Sequence, residues 1–340
     1  MDREPRTSGE RTNGDPGRDH VTVTTTRTAG EAARRPHPDH FFSLRSVKPR
    51  YGERIIRAIL AAAAAGSILT TVGIVVSLLA PAVEFFTEVS IVEFFTGTRW
   101  APTFADPSFG VLPLVTATFW TTIVALAVAV PFGLGAAMYL SEYASERVRR
   151  ILKPALEILA GVPTVVYGFF ALQFVIPYLL RDWLGLDVGT FSALGAGLVM
   201  GVMIIPTVAS LSEDAMAAVP MSMRQGSFAL GANRMQTTVR VVVPAAMSGI
   251  IAAIVLGISR AVGETMIVAI ASGQQPVILR DPLEAGQTMT GFIASAALGD
   301  SRVGSLEYNT LFAVGLLLFA MTLVVNLVSV RLVRRFREAY

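Results

Sequence analysis

Charged residues are missing from six long stretches of this chain, and that spacing constrains its fold more than any motif. The gaps cover 58–83, 107–141, the stretch between Glu157 and Arg181, that between Asp187 and Glu213, the run after Arg240, and that between Glu307 and Arg331. About 18 apolar residues in a helix cross a hydrocarbon core about 30 Å thick. The second gap is long for one span, so an interfacial or re-entrant start is expected near 109–113. The fifth is interrupted by Arg260 and Glu264. The spacing predicts an all-α membrane protein with six transmembrane helices over residues 51–340.

Composition removes several kinds of chemistry. Only 16% of the residues are charged and 53% are hydrophobic, where a soluble domain is nearer a quarter charged. The chain has no cysteine and three histidines, all among its first 40 residues. That leaves no thiolate site and no imidazole in the spans, so no metal is expected. The formal charge of +3 does not point to nucleic acid, because the basic residues follow the spans. Residues 1–50 are polar, without apolar periodicity or a signal-peptide core. They read as a disordered cytoplasmic tail that is inert or, through its threonine run, phosphorylated.

Orientation follows from lysine and arginine. With the N-terminus in the cytoplasm, 12 of them precede the first span, and 4, 3 and 4 fall in 142–154, 213–240 and the C-terminus. These 23 face four outside: Arg99, Arg181, Arg280 and Arg302. The positive-inside rule then places both termini in the cytoplasm of a multi-pass protein of the plasma membrane.

Arg260 is the one cation left within a span. An arginine at mid-bilayer costs about 3 kcal/mol on insertion scales, so it is expected to face other helices or a wet path. Glu264 is four residues on, which puts both on one face of an unbroken helix. The pair is either a self-neutralised packing element or an anion path, the guanidinium fork matching an oxyanion. Arginine before glutamate is the weaker order, worth about 0.3 kcal/mol, so a partner charge from elsewhere is expected.

Two further stretches stand out. Gly161-Val162-Pro163-Thr164-Val165-Val166-Tyr167-Gly168 puts a proline in the third span. Such a break either lines a cavity, with Pro163, Thr164 and Tyr167 as lining, or is a plain kink. Pro131, Pro177 and Pro206 read as kinks. Residues 213–244 carry apolar residues at helical spacing, broken at Gly231-Ala232 and ending at Pro244. They read as two short cytoplasmic helices that pack on the protein's own base or dock a soluble partner.

This last stretch resembles the EAA loop of ABC importer permeases. Gln225-Gly226-Ser227-Phe228-Ala229-Leu230-Gly231, nine residues, then Val241-Val242-Val243-Pro244 keeps the loop's spacing. Gln225 and Gly226 depart from the E-A-A triplet, in the manner of phosphate permeases. The stretches Arg99-Trp100-Ala101-Pro102, Phe109 to Leu114, Tyr139-Leu140-Ser141-Glu142-Tyr143, Gly161 to Gly168 and Gly257 to Met266 are similar to the PstC-type permease. Met266 stands where the PstA-type sister has G-E-T-A-P.

The resemblance covers about 55–335 and implies a MetI-like fold with cytoplasmic coupling helices. It implies Arg260, Glu264 and Thr265 in the substrate path, and Gln225, Gly226, Ser227, Ala229, Gly231 and Pro244 in coupling to an ATPase. It further implies a PstA-type sister permease, a PstB-type ATPase dimer that binds ATP and magnesium, and a PstS-type phosphate-binding protein. This chain has no G-x-x-x-x-G-K-[ST] loop, so it is expected to bind no nucleotide and to be no enzyme. The alternatives are an ABC permease for sulfate, molybdate or phosphonate, the PstA-type sister, or an intramembrane enzyme or scaffold, for which the spans carry no paired acids.

Overall fold

The computed structural model describes residues 51–335; residues 1–50, including the tail reading, and 336–340 lie outside them. The chain divides at Ile59 into two units. Of the first, residues 51–59 are described, as the opening turns of helix α1 (Tyr51–Glu88). The second holds the rest.

Four further helices follow the charge gaps. They are α3 (Leu112–Met138), α5 (Thr164–Phe170), α6 (Ala193–Ala217) and α13 (Leu306–Arg335). Helix α3 runs on as a π-helix over Tyr139–Tyr143, and α5 over Ala171–Trp183. With α1, these make five helices long and apolar enough to cross a membrane. A sixth candidate is a pair bent by 73°, Arg234–Ala245 and Met247–Val262. The fifth gap is therefore not one continuous helix. Shorter elements intervene. Helix α2 (Ile91–Thr96) precedes strands β1 (Trp100–Ala101) and β2 (Ser108–Phe109), which pair antiparallel with Trp100 opposite Phe109. This ribbon takes the surplus of the second gap, so there is no re-entrant start near 109–113. Helix α3 begins at Leu112, with Pro113 in its first turn, where no N–H is needed.

Within the second unit α3 and α6 pack most closely. A Cβ on Gly197 would lie 2.7 Å from the Val124 Cβ, and one on Gly201 equally close to that of Val128. Small residues let helix backbones approach where no hydrophobic effect drives association. Three apolar clusters form around this pair. One joins Ala125, Tyr167, Met200, Ile204 and Ile267. A second gathers Phe85, Phe94, Trp100, Phe109 and Phe292, with edge-to-face rings such as Trp100–Phe292 at 4.9 Å. The third joins Ala137, Met216, Val219, Val242 and Ile250 where α3 and α6 end.

Helix α4 (Glu146–Ala160) occupies the basic stretch that follows residue 142. Ser145 caps it, accepting from the Val148 N–H. Pro163 is not inside the third span. It stands immediately before α5, where its fixed φ starts a helix and leaves no carbonyl freed in mid-span.

Candidate functional site

Helix α7 (Met221–Ala229) and helix α8 (Arg234–Thr237) are the two short helices expected after residue 213. Gly231 separates them with φ +85°, a left-handed conformation that side chains rarely adopt. Asn233 and Gln236 close a reciprocal capping box that starts α8. Helix α8 continues through a π-turn, Thr238–Val242, into α9 (Val243–Ala245). The run thus passes through Pro244 and ends at Ala246. The Ser227 and Thr237 hydroxyls meet at 2.9 Å and tie the two helices together. Gln225, Gly226 and Ala229 are exposed. The apolar tips are exposed too: Leu230 is 91% exposed, and Met221, Phe228 and Met235 also reach solvent.

Arg224, which the sequence did not single out, anchors this pair. Its Nη2 donates to a Glu142 carboxylate oxygen at 2.9 Å and to the Met216 carbonyl at 2.8 Å, and its Nη1 to the Val219 carbonyl at 2.6 Å. Glu142 closes α3 and Met216 closes α6, so one nearly buried guanidinium joins α7 to two spans. Beside it Glu213, 1% exposed, accepts from Arg149 and, at 2.9 Å, from Lys153 on α4. Lys153 also reaches Asp214 at 3.0 Å. The hydrogen bond to Glu213, then that to Asp214, raise the Lys153 pKa above its usual 10.5.

The expected Arg260–Glu264 pair does not form. Helix α10 (Met247–Val262) ends between the two residues, and Gly263 caps it. Arg260 lies in the last turn of α10, where a cation suits the helix dipole. It is half-buried, and its Nη1 donates to the Thr207 hydroxyl on α6 at 3.3 Å. No carboxylate pairs with it among the described residues, so most of its five N–H donors stay open. The adjacent Ser259 donates to Asn326 on α13 at 3.0 Å.

Glu264 instead starts helix α11 (Met266–Ala271). It is buried and accepts from the Met266 and Ile267 N–H groups at 3.1 and 3.3 Å. The i,i+4 rule needs an unbroken helix, and Gly263-Glu264-Thr265 is the break. The freed backbone groups find local partners. Thr290, in helix α12 (Met289–Ala297), donates to the Glu264 carbonyl at 2.6 Å. Thr265 donates at 3.4 Å to the Gly263 carbonyl. Tyr167 is buried, donates to the Leu159 carbonyl at 2.7 Å, and shares an apolar cluster with Ala261, the neighbour of Arg260. Thr164 opens α5 half-exposed, and Pro163 is exposed. The structure therefore brings Arg260, Thr207 and Tyr167 to one region and leaves Pro163 at its edge.

A separate cavity of about 390 Å³ lies between the β-ribbon and α12, lined by Trp100, Gln274, Gln287, Phe292 and Ser295. Its ionisable lining groups are Asp300 and Glu307, so it offers no cation to an anion.

Several membrane helices, one of them broken beside an unpaired cation, and two short helices strapped to their ends, define a membrane permease. The chain belongs to the family of binding-protein-dependent transport system inner membrane components, whose model matches residues 129–338. It is 41% identical over 235 residues to the probable ABC transporter permease protein YqgH of Bacillus subtilis, covering 69% of this chain and 75% of that one. It is 33% identical over 280 residues to the phosphate transport system permease protein PstC 1 of Mycobacterium tuberculosis, covering 72% and 82%. The fold is also that of a chain of a bacterial alginate ABC transporter, with TM-score 0.59 at 15% identity over 86% of this chain and 99% of that one.

Proposed function

We propose that this chain is the PstC-type permease subunit of a phosphate ABC importer, with both termini in the cytoplasm. The observation that carries the reading is Arg260, held half-buried by a hydroxyl beside the helix break and free of any carboxylate among the described residues. Such a guanidinium offers an oxyanion several charge-assisted hydrogen bonds where water is scarce. The relatives named as phosphate permeases supply the identity of the anion. Thr207 orients the arginine, and Glu264 shapes the bend beside it rather than neutralising it. Thr265, Thr164 and Tyr167 line the region around the bend.

Transport also needs an energy source. Helices α7 and α8 present exposed apolar tips, and Arg224 ties them to α3 and α6. A PstB-type ATPase dimer that docks on Leu230, Phe228 and Met235 moves these spans as rigid bodies. Gln225, Gly226, Ser227, Ala229, Gly231 and Pro244 form that coupling surface, the 213–244 loop. A PstA-type sister supplies the other half of the path, and a PstS-type protein delivers phosphate outside. ATP and magnesium belong to the ATPase.

The test is uptake of radiolabelled phosphate by cells that carry the assembled transporter as their only phosphate importer. Excess unlabelled phosphate should abolish the signal and excess sulfate should leave it. Competition by sulfate, molybdate or phosphonate would favour a different oxyanion in the same fold.

A further inference from the structure

Helix α4 is tied to the protein along one side only. Arg149 and Lys153 hold it to Glu213 and Asp214 at the end of α6. At about 100° per residue, Ile151 lies roughly 160° around the helix from each of these cations. Ile151 is 70% exposed and Ile158 73%, and Ala155 between them is exposed too. Positions 151, 155 and 158 fall on one stripe. Arg147 and Arg150 flank that stripe, exposed, and neither makes a hydrogen bond or ion pair among the described residues.

The ends of α4 restrict what this stripe can meet. Ala144 and Ser145 alone join it to the span that closes at Tyr143, and 161–163 alone join it to the span that opens at Thr164. Links of two and three residues reach only about 7–10 Å. A helix tethered so at both ends stays at the membrane surface. There, an apolar stripe beside unpaired arginines matches an interfacial helix, and a guanidinium matches a phosphodiester better than it matches an apolar protein face.

We propose that α4 lies in the headgroup region of the cytoplasmic leaflet and binds anionic phospholipid. Ile151, Ala155 and Ile158 enter the acyl boundary, and Arg147 and Arg150 hold the headgroup phosphates. A partner protein would have to bury Arg147 and Arg150, which pair with neither Glu146 nor Glu157 on the same helix. The inference holds whichever anion the permease carries, and it uses the proposed orientation only to name the leaflet.

The test uses the assembled transporter in nanodiscs of phosphatidylcholine with phosphatidylglycerol. This chain has no cysteine, so with cysteine-free partner chains a spin label can be placed at Ile151, Ile158 or Glu157. Labels at Ile151 and Ile158 should collide more with dissolved oxygen than with an aqueous nickel chelate, and the label at Glu157 the reverse. Labels reached by neither probe would mean that a protein covers the stripe, and labels reached mainly by nickel would mean that water does; either overturns the proposal. Arg147 and Arg150 have no partners to lose, so R147Q/R150Q should fold. Each basic residue near an anionic surface is worth about five-fold, so this variant should retain phosphatidylglycerol roughly 25-fold less well by native mass spectrometry. Unchanged retention would also overturn the proposal.

Discussion

Arg224 and Glu142, separated by 82 positions in the chain, meet at 2.9 Å and join α7 to the end of α3. Their side chains are 11% and 8% exposed, so removing one strands the other away from water. Breaking such a pair costs about 3 kcal/mol. Arg224→Ala should lower the melting temperature of the assembled transporter. It should also let ATP hydrolysis run with little uptake, because α7 also loses its bonds to the Met216 and Val219 carbonyls. Glu142→Gln, which can still accept from Arg224, should fall between. Tight coupling in Arg224→Ala would rule out the anchoring role.

Gly231 holds a φ of +85°, and a Cβ there would meet nothing within 4 Å. The cost of a side chain is therefore in the backbone, about 1–2 kcal/mol for an ordinary residue and less for asparagine. Gly231→Val should shift Leu230 and reduce phosphate moved per ATP hydrolysed, with Gly231→Asn milder. An unchanged ratio in the valine variant would remove this turn from the coupling path.

Glu264 caps α11 by accepting two backbone N–H groups. Glu264→Gln keeps an acceptor oxygen and should keep most uptake. Glu264→Ala loses the cap, about 1 kcal/mol, and should lower thermal stability. Loss of uptake in the glutamine variant at unchanged stability would instead make its charge part of the path.

Lys153 has a raised pKa because its proton is shared with Glu213 and Asp214. A group with a raised folded pKa stabilises fully below its unfolded value and loses that contribution as pH climbs through the folded one. The Lys153 anchor should therefore be intact at neutral pH and weaken only above about pH 10.5. Protection of α4 amides, measured against the intrinsic base-catalysed exchange rate, should fall in that window in the native protein and show no such fall in Lys153→Met. An equal fall in both would show that another group governs it.

The charge gaps made the spans legible, because an interruption in a hydrocarbon core is costly and therefore visible. Gly231 was legible as a break for its backbone freedom. Glu264 was misread, since i,i+4 spacing presumes a continuous helix, although the glycine at 263 is an ordinary helix-stop signal. The Arg224–Glu142 and Lys153–Glu213 pairs join residues far apart in sequence, and no periodicity carries such contacts. Helix α4 is signalled only locally, by Ser145 as a cap and by the helical spacing of Val148, Leu152, Leu156 and Leu159, beneath the charges that dominate the stretch.

The central claim is that Arg260 carries the anion, and one variant tests it most directly. Arg260→Gln removes the charge but retains a donor for Thr207, so insertion and copurification with the partner subunits should be unchanged. Radiolabelled phosphate uptake by the assembled transporter should then fall to background. Uptake at the unsubstituted level in that variant would contradict the account.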